Sequence, residues 1–222
     1  MLHRIVDFAD FFALSEGARD GLLKASLQFA SKSEGMMDWR DYFALGAALA
    51  YFRPSNVFEI GTFKGITSSF VLMQRPDCRL VSIAYQNGTG YSDKRYNNSH
   101  LTREMIGSLV DPSVRSRFTQ LIGDSHDLTA SGLIKDHGRF DMVLVDGDHS
   151  YDGVALDTAL ASDILMDGGA ICWHDANPKP KYEAVRRFLE TGMPYLGIAT
   201  MDTYSGGVAV WSSRIHTKMV NG

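Results

Sequence analysis

Carboxylates and histidines collect at the ends of short apolar runs in this chain. The densest group is Asp146, Asp148 and His149, which follows Met142 to Val145 in D-M-V-L-V-D-G-D-H-S-Y-D-G. A second is His174 with Asp175, in C-W-H-D-A-N-P, and a third is Asp124, Ser125 and His126, in L-I-G-D-S-H-D. The fourth is V-F-E-I-G-T-F-K-G, where Glu59 lies inside the run and Gly61 and Gly65 flank the turn after it. Carboxylates and imidazoles that converge repel, or shift one another's pKa, unless a cation or cationic ligand joins them. Brought together at neighbouring strand ends, Asp146, His174 and Asp175 would suit Mg²⁺ or Mn²⁺, the imidazole tilting the choice toward Mn²⁺, Fe²⁺ or Zn²⁺. A plainer reading stands beside it. Asp146 and Asp148 form a turn, Asp175 caps a loop, His174 bonds locally, and G-D-S is a common turn.

These groups meet only if the apolar runs lie side by side. Met142 to Val145 is short, continuous and rich in β-branched residues, as in a parallel strand buried on both faces. Ligands of open α/β sheets bind outside the carboxyl ends of such strands. Patterning predicts strands at Asn56 to Ile60, Arg79 to Ala84, Phe118 to Ile122, Asp141 to Asp146, Ala170 to Trp173, Tyr195 to Thr200 and Val208 to Trp211. Helices are predicted at Glu16 to Ala30, Asp38 to Phe52, Gly65 to Gln74, Leu101 to Leu109, Leu128 to Lys135, Asp152 to Met166 and Tyr182 to Glu190. Ser150 or Asp152 offers an N-cap, and Ser205, Gly206 and Gly207 read as a hairpin turn. The fold class expected is α/β, a doubly wound, seven-stranded, mostly parallel sheet with a C-terminal antiparallel hairpin. No repeat or linker divides the chain. Residues 1–55 therefore read as a helical cover within the same domain as residues 56–222. Tyr85 to Ser99, rich in Gly, Asn, Ser and Tyr, has no period and reads as a long loop.

Composition narrows the function classes. With 222 residues, 45% of them hydrophobic, the chain suits one globular domain with a large core. Its net charge of −4 and scattered cations argue against a nucleic-acid surface. Cys78 and Cys172 belong to no C-x-x-C motif and read as reduced core thiols. Acids interrupt the N-terminal stretch where a signal peptide needs an apolar core. The longest apolar run, Phe43 to Phe52, falls far short of the roughly 20 residues that span a bilayer. A soluble, cytoplasmic protein that binds no membrane is expected. A dinucleotide site would want G-x-G-x-x-G after the first strand of the predicted sheet. The chain has only Gly61 and Gly65 there, and Glu59 would repel a pyrophosphate while attracting a cationic ligand. A nicotinamide-dependent oxidoreductase is therefore the weaker reading.

Taken in order, the four motifs resemble the class I S-adenosylmethionine-dependent methyltransferases. Within them they look most like the small-molecule O-methyltransferases, including the branch with a D-G-x-H-x-Y motif, and more distantly catechol O-methyltransferase. The resemblance covers about residues 56–211. It implies a Rossmann-like methyltransferase fold, S-adenosylmethionine as cofactor, and methyl transfer to a hydroxyl of a small-molecule acceptor. It also implies that Glu59, Gly61 and Gly65, with Thr62 in the same turn, hold the methionine part of the cofactor, and that Phe63 and Thr67 wall it. Asp124, Ser125 and His126 would contact the adenine, and Gly147 would let the cofactor approach. Asp146, His174 and Asp175 match the ligands of the metal-dependent branch, for Mg²⁺ or Mn²⁺. His149 falls where catechol O-methyltransferase has its catalytic lysine, and an imidazole near neutral pH can serve as general base.

Two departures from the family accompany these matches. Ala84 stands where an acid normally binds the ribose, which leaves Gln86 or Asn87 to replace it. The usual acidic or amide pair after the fifth strand is here His174 and Asp175. Tyr91 and Tyr96 of the long loop are expected to close over the acceptor together with Trp39 and Tyr42. The competing expectation is that Trp39, Tyr42 and Phe43 pack the core. A catalytically lapsed S-adenosylmethionine-binding protein is the alternative that Ala84 favours, and a homo-oligomer is left open.

Overall fold

The computed structural model describes residues 2–5, 7–33, 37–85, 101–193, 197–203 and 206–215. Eight strands form one sheet in the order β1-β7-β8-β6-β5-β2-β3-β4. The strands are β1 (Leu2–Arg4), β2 (Asn56–Ile60), β3 (Arg79–Ala84), β4 (Phe118–Ile122), β5 (Phe140–Val145), β6 (Leu165–His174), β7 (Ile198–Met201) and β8 (Val208–Trp211). β2 pairs in parallel with β3 and β5, and so do β3 with β4, β5 with β6, and β1 with β7. Only β8 runs against its neighbours, β6 and β7. The doubly wound sheet with its antiparallel hairpin is thus as expected, and β1 adds an eighth strand inside a region that reads as helical. Of the expected hairpin turn, Ser205 lies outside the described residues, as does Tyr195 of the expected strand.

Among the described residues, helices cover the two faces: α1 (Phe8–Phe11), α2 (Glu16–Ala30), α3 (Trp39–Phe52), α4 (Ile66–Gln74), α5 (Ala130–His137), α6 (Tyr151–Ile164) and α7 (Glu183–Thr191). Side chains alternate along each strand, so neighbouring residues serve opposite cores. Met142 and Leu144 join α1 to α4 on one face, while Val143 and Val145 join α5 to α7 on the other. Each α6 and α3 start is capped from the sequence: Ser150 accepts from the Gly153 amide, and Asp38 with Asp41 forms a reciprocal capping box. Tyr42 and Phe43 are core residues, with Tyr42 packed on Phe29 and Phe70.

Two expectations fail for physical reasons. Residues 103–109 form turns and no helix. The Gly107 and Leu109 amides donate to the Phe63 and Lys64 carbonyls, 3.0 and 2.8 Å away, so they support the β2–α4 turn instead of a helical ladder. The helix expected to run to Met166 stops at Ile164, because Leu165 already pairs with Phe140. β6 is longer than expected as a result, and its register shifts between Phe140 and Met142.

Candidate active site

β2 ends in a turn that only glycine can make. Gly61 has φ +104, and a Cβ there would lie 2.0 Å from the Asp146 carbonyl oxygen. The turn is pinned from both sides: the Gly61 amide donates to Ile83 at 2.9 Å, and the Asp146 amide donates to Ile60 at 2.9 Å. Phe63, at φ +47, and Asp175, at φ +58, hold left-handed backbone next to the same space. Such strain concentrates at functional sites and costs roughly 1–3 kcal/mol per residue.

Two hollows meet over these strand ends. The first encloses about 840 Å³ up to its open mouth and is walled by Gly61, Phe63, Ala84, the Asp124–His126 turn and Gly147. The second, about 730 Å³ by the same measure, is walled by Tyr42, Thr62, Gly65, Thr67, Lys181 and Tyr182. Gly61, Phe63, Asp146 and His149 line both. A cleft with mostly apolar walls and a few convergent polar groups suits a small organic ligand on each side of the junction.

The junction carries the titratable cluster. His149 Nε2 lies 3.4 Å from Asp146 Oδ1 and 3.1 Å from Asp175 Oδ2. His174 Nδ1 lies 3.2 Å from Asp146 Oδ1 and 3.4 Å from Asp175 Oδ1. On its other side His174 Nε2 is 3.5 Å from Asp41, a fully buried carboxylate of α3. Asp41 also accepts from the Thr203 hydroxyl and from the amides of Asp38, at 3.1 Å, and Gly207, at 3.0 Å. Burial alone would push the Asp146 carboxyl up, but His174 and His149 outweigh it and hold it well below the usual carboxylate range. Burial likewise opposes charge on His149 and His174, yet the surrounding carboxylates raise both. Burial raises Asp175 despite the two imidazoles.

The expected site residues do not all reach the cleft. Gly61, Phe63, Asp124, Ser125, His126, Asp146, Gly147 and His149 line the first hollow, and Thr62, Gly65, Thr67, His174 and Asp175 line the second. Glu59 lines neither. It is 1% exposed, and the Ser68 and Ser82 hydroxyls donate to it beneath the turn, where burial pushes its pKa up to about 7. Trp39 packs edge-on against Phe43, and only Tyr42 of the aromatic trio faces the cleft. Gln86, Asn87, Tyr91 and Tyr96 lie outside the described residues.

Among the described residues, the ligand atoms that lie within 4.8 Å of one another belong to Asp146, His149 and Asp175. Separations of 3.1 to 3.4 Å suit donors about 2.1 Å from one shared ion, so the donor set fits a divalent cation. The expected set of Asp146, His174 and Asp175 has His174 in place of His149, and His174 Nδ1 also lies 3.2 Å from Asp146 and 3.4 Å from Asp175. Asp41 and Asp157 are the site residues that the motifs do not mark. Asp41 is visible in the sequence only as the fourth residue of a capping box, and Asp157 only as a helix residue.

A family model described as a methyltransferase domain matches residues 58–176. No curated protein matches the sequence. Solved structures do. The O-methyltransferase TomG of Streptomyces achromogenes, in complex with S-adenosylmethionine, is 18% identical, with 92% of this chain and 94% of that chain covered at a TM-score of 0.53. An O-methyltransferase from Bacillus cereus, bound to S-adenosylhomocysteine, is 15% identical, with 92% and 94% covered at 0.53. MycE of the mycinamycin pathway, with Mg and S-adenosylhomocysteine, is 18% identical, with 86% of this chain and 54% of that chain covered at 0.53. At these identities the likeness is one of fold. Among the described residues no helix is long and apolar enough to cross a membrane.

Proposed function

The chain belongs to the methyltransferase domain family, and from that premise we propose that it transfers a methyl group from S-adenosylmethionine to a hydroxyl of a small molecule. The observation that carries the reading is the two-part cleft with Asp146 and His149 at the junction of its halves. The half between the Gly61 turn, Phe63 and the Asp124–His126 turn takes the cofactor, with Gly147 allowing its close approach. The half between Tyr42, Thr67 and Tyr182 takes the acceptor. Residues 56–222 are the catalytic unit in this reading, and residues 1–55 its cover.

Bound there, the cofactor supplies a methyl group on a positively charged sulfur. Transfer of that methyl group to an acceptor hydroxyl would leave the sulfur neutral, as S-adenosylhomocysteine, and would require a group of this chain to take the acceptor proton. His149 takes that proton, oriented by Asp146 and Asp175. Walls that align oxygen, carbon and sulfur supply most of the rate. A divalent cation, where present, is held by Asp146 and Asp175 with a histidine, and supplies a Lewis acid that lowers the acceptor pKa. His149 is the histidine nearer Asp175, at 3.1 against 3.4 Å, and His174 the one nearer Asp146, at 3.2 against 3.4 Å, so a cation that took His149 would set its two roles against each other.

One assay separates them: release of S-adenosylhomocysteine over a panel of phenolic, sugar and aliphatic hydroxyls, with and without excess chelator. Turnover lost to chelator and restored by Mg²⁺ or Mn²⁺ supports the cation. Full turnover in chelator removes the cation and leaves His149 as base. Ala84 keeps a second reading in view. Calorimetric binding of S-adenosylmethionine with no transfer to any acceptor would mark a catalytically lapsed binding protein, and no binding would sink both readings.

A further inference from the structure

Asp157 lies on α6, a whole helix turn beyond the motif that carries Asp146, and it is fully buried. Its Oδ1 accepts from the Ser125 hydroxyl at 2.7 Å and sits 3.4 Å from His126 Nε2. These two residues form the turn after β4 that walls the first hollow. Its Oδ2 has no hydrogen-bond partner among the described residues. That oxygen lies where a side chain at Gly147 would begin, 2.8 Å from an ideal Cβ. Gly147 belongs to the turn after β5, the opposite wall of the same hollow. One carboxylate thus touches both walls from below. A buried acceptor with one oxygen unfilled is costly and calls for an explanation.

We propose that Asp157 is a positioning residue for the nucleoside half of the cofactor site, setting the distance between the Ser125–His126 turn and the Gly147 turn across which that half binds. The inference rests on the S-adenosylmethionine reading above and goes beyond it. None of the sequence motifs includes Asp157, and it does not line the cleft. Its effect reaches the cofactor through Ser125, His126 and Gly147. The arrangement also explains the residue type at 147, where any side chain would collide with the carboxylate and with Ile60.

The variants are Asp157→Asn, which keeps the volume and loses the charge, and Ser125→Ala, which removes the 2.7 Å bond from the other end. The probes are S-adenosylhomocysteine and adenosine, measured by calorimetry. Asp157→Asn is expected to weaken both probes by the same factor, about tenfold, while a purely structural change would move the melting temperature without that match. The two substitutions together are expected to cost little more than Asp157→Asn alone. Amide hydrogen exchange reads the scaffold without any ligand, and protection at residues 124–127 and 146–148 is expected to fall in both variants. Unchanged exchange at those turns, or S-adenosylhomocysteine binding within twofold of the parent in both variants, overturns the role of Asp157. A parent protein that binds neither probe overturns the cofactor reading instead, and the exchange result then stands apart from it.

Discussion

His149 stands 3.1 Å from Asp175 and 3.4 Å from Asp146 at the junction of the two hollows. If it removes the acceptor proton, His149→Ala lowers the rate of S-adenosylhomocysteine release by about 10²–10⁴-fold with S-adenosylmethionine affinity little changed. Wild-type turnover in that variant would remove His149 from the mechanism. Glu59 makes a prediction about stability. Its pKa stands at about 7 in the fold against an ordinary 4.5, because burial disfavours the charged form. The folded state then binds the extra proton, so this stability is fully present below pH 4.5 and is lost as pH rises through about 7. Glu59→Gln is expected to flatten the stability profile across that window in urea titrations, and an unaltered slope would refute it. His126 acts with the opposite chemistry and the same sign. The Asp157 hydrogen bond, against some burial, and the charges of Asp157, Asp124 and Asp148 raise it from 6.5 to about 9. Its contribution is complete below pH 6.5 and disappears through about 9. The His126→Gln variant should lose that slope and no other. The acid-rich strand ends were legible as site residues because their types have no reason to sit beside apolar runs. Asp41 and Asp157 were not, since each lies inside a helix and acquires its partners only when segments far apart in sequence pack together.

At the scale of elements, the β2–α4 turn is held by contacts from β3, β5 and the segment after residue 100. Gly61→Ala would place a methyl group against the Asp146 carbonyl and force φ +104 on a residue that resists it. A loss of about 3 kcal/mol or more in equilibrium unfolding is expected, together with lost S-adenosylhomocysteine binding. A stable Gly61→Ala protein with normal binding would show that the turn can move aside. Strand positions were readable because strands buried on both faces leave unbroken apolar runs, and five of the seven predicted runs match the observed strand to within one residue at both ends. The predicted helix at 101–109 failed because local propensity carries no record of the Phe63 and Lys64 carbonyls that claim its amides. β1 was missed for a related reason. Three residues are too short for a period, and their partner strand is almost the whole chain away.

For the whole molecule, ligand linkage supplies the broadest test. S-adenosylhomocysteine at about 100 times its dissociation constant should stabilise the fold by about 2.7 kcal/mol. For a chain of this length that raises the melting temperature by about 5–10 °C, and no shift at any attainable concentration would argue against the cleft as its site. The pairing of β1 with β7 has a different consequence, one of timing. Leu2 meets Ile198 and Arg4 meets Thr200, so β1 cannot dock until a partner far later in the chain has emerged. Chains fold from the N-terminus as they are made, at about 5–20 residues per second. β1 therefore waits on the order of ten seconds or longer for its neighbour, and the sheet edge it forms is completed late in synthesis.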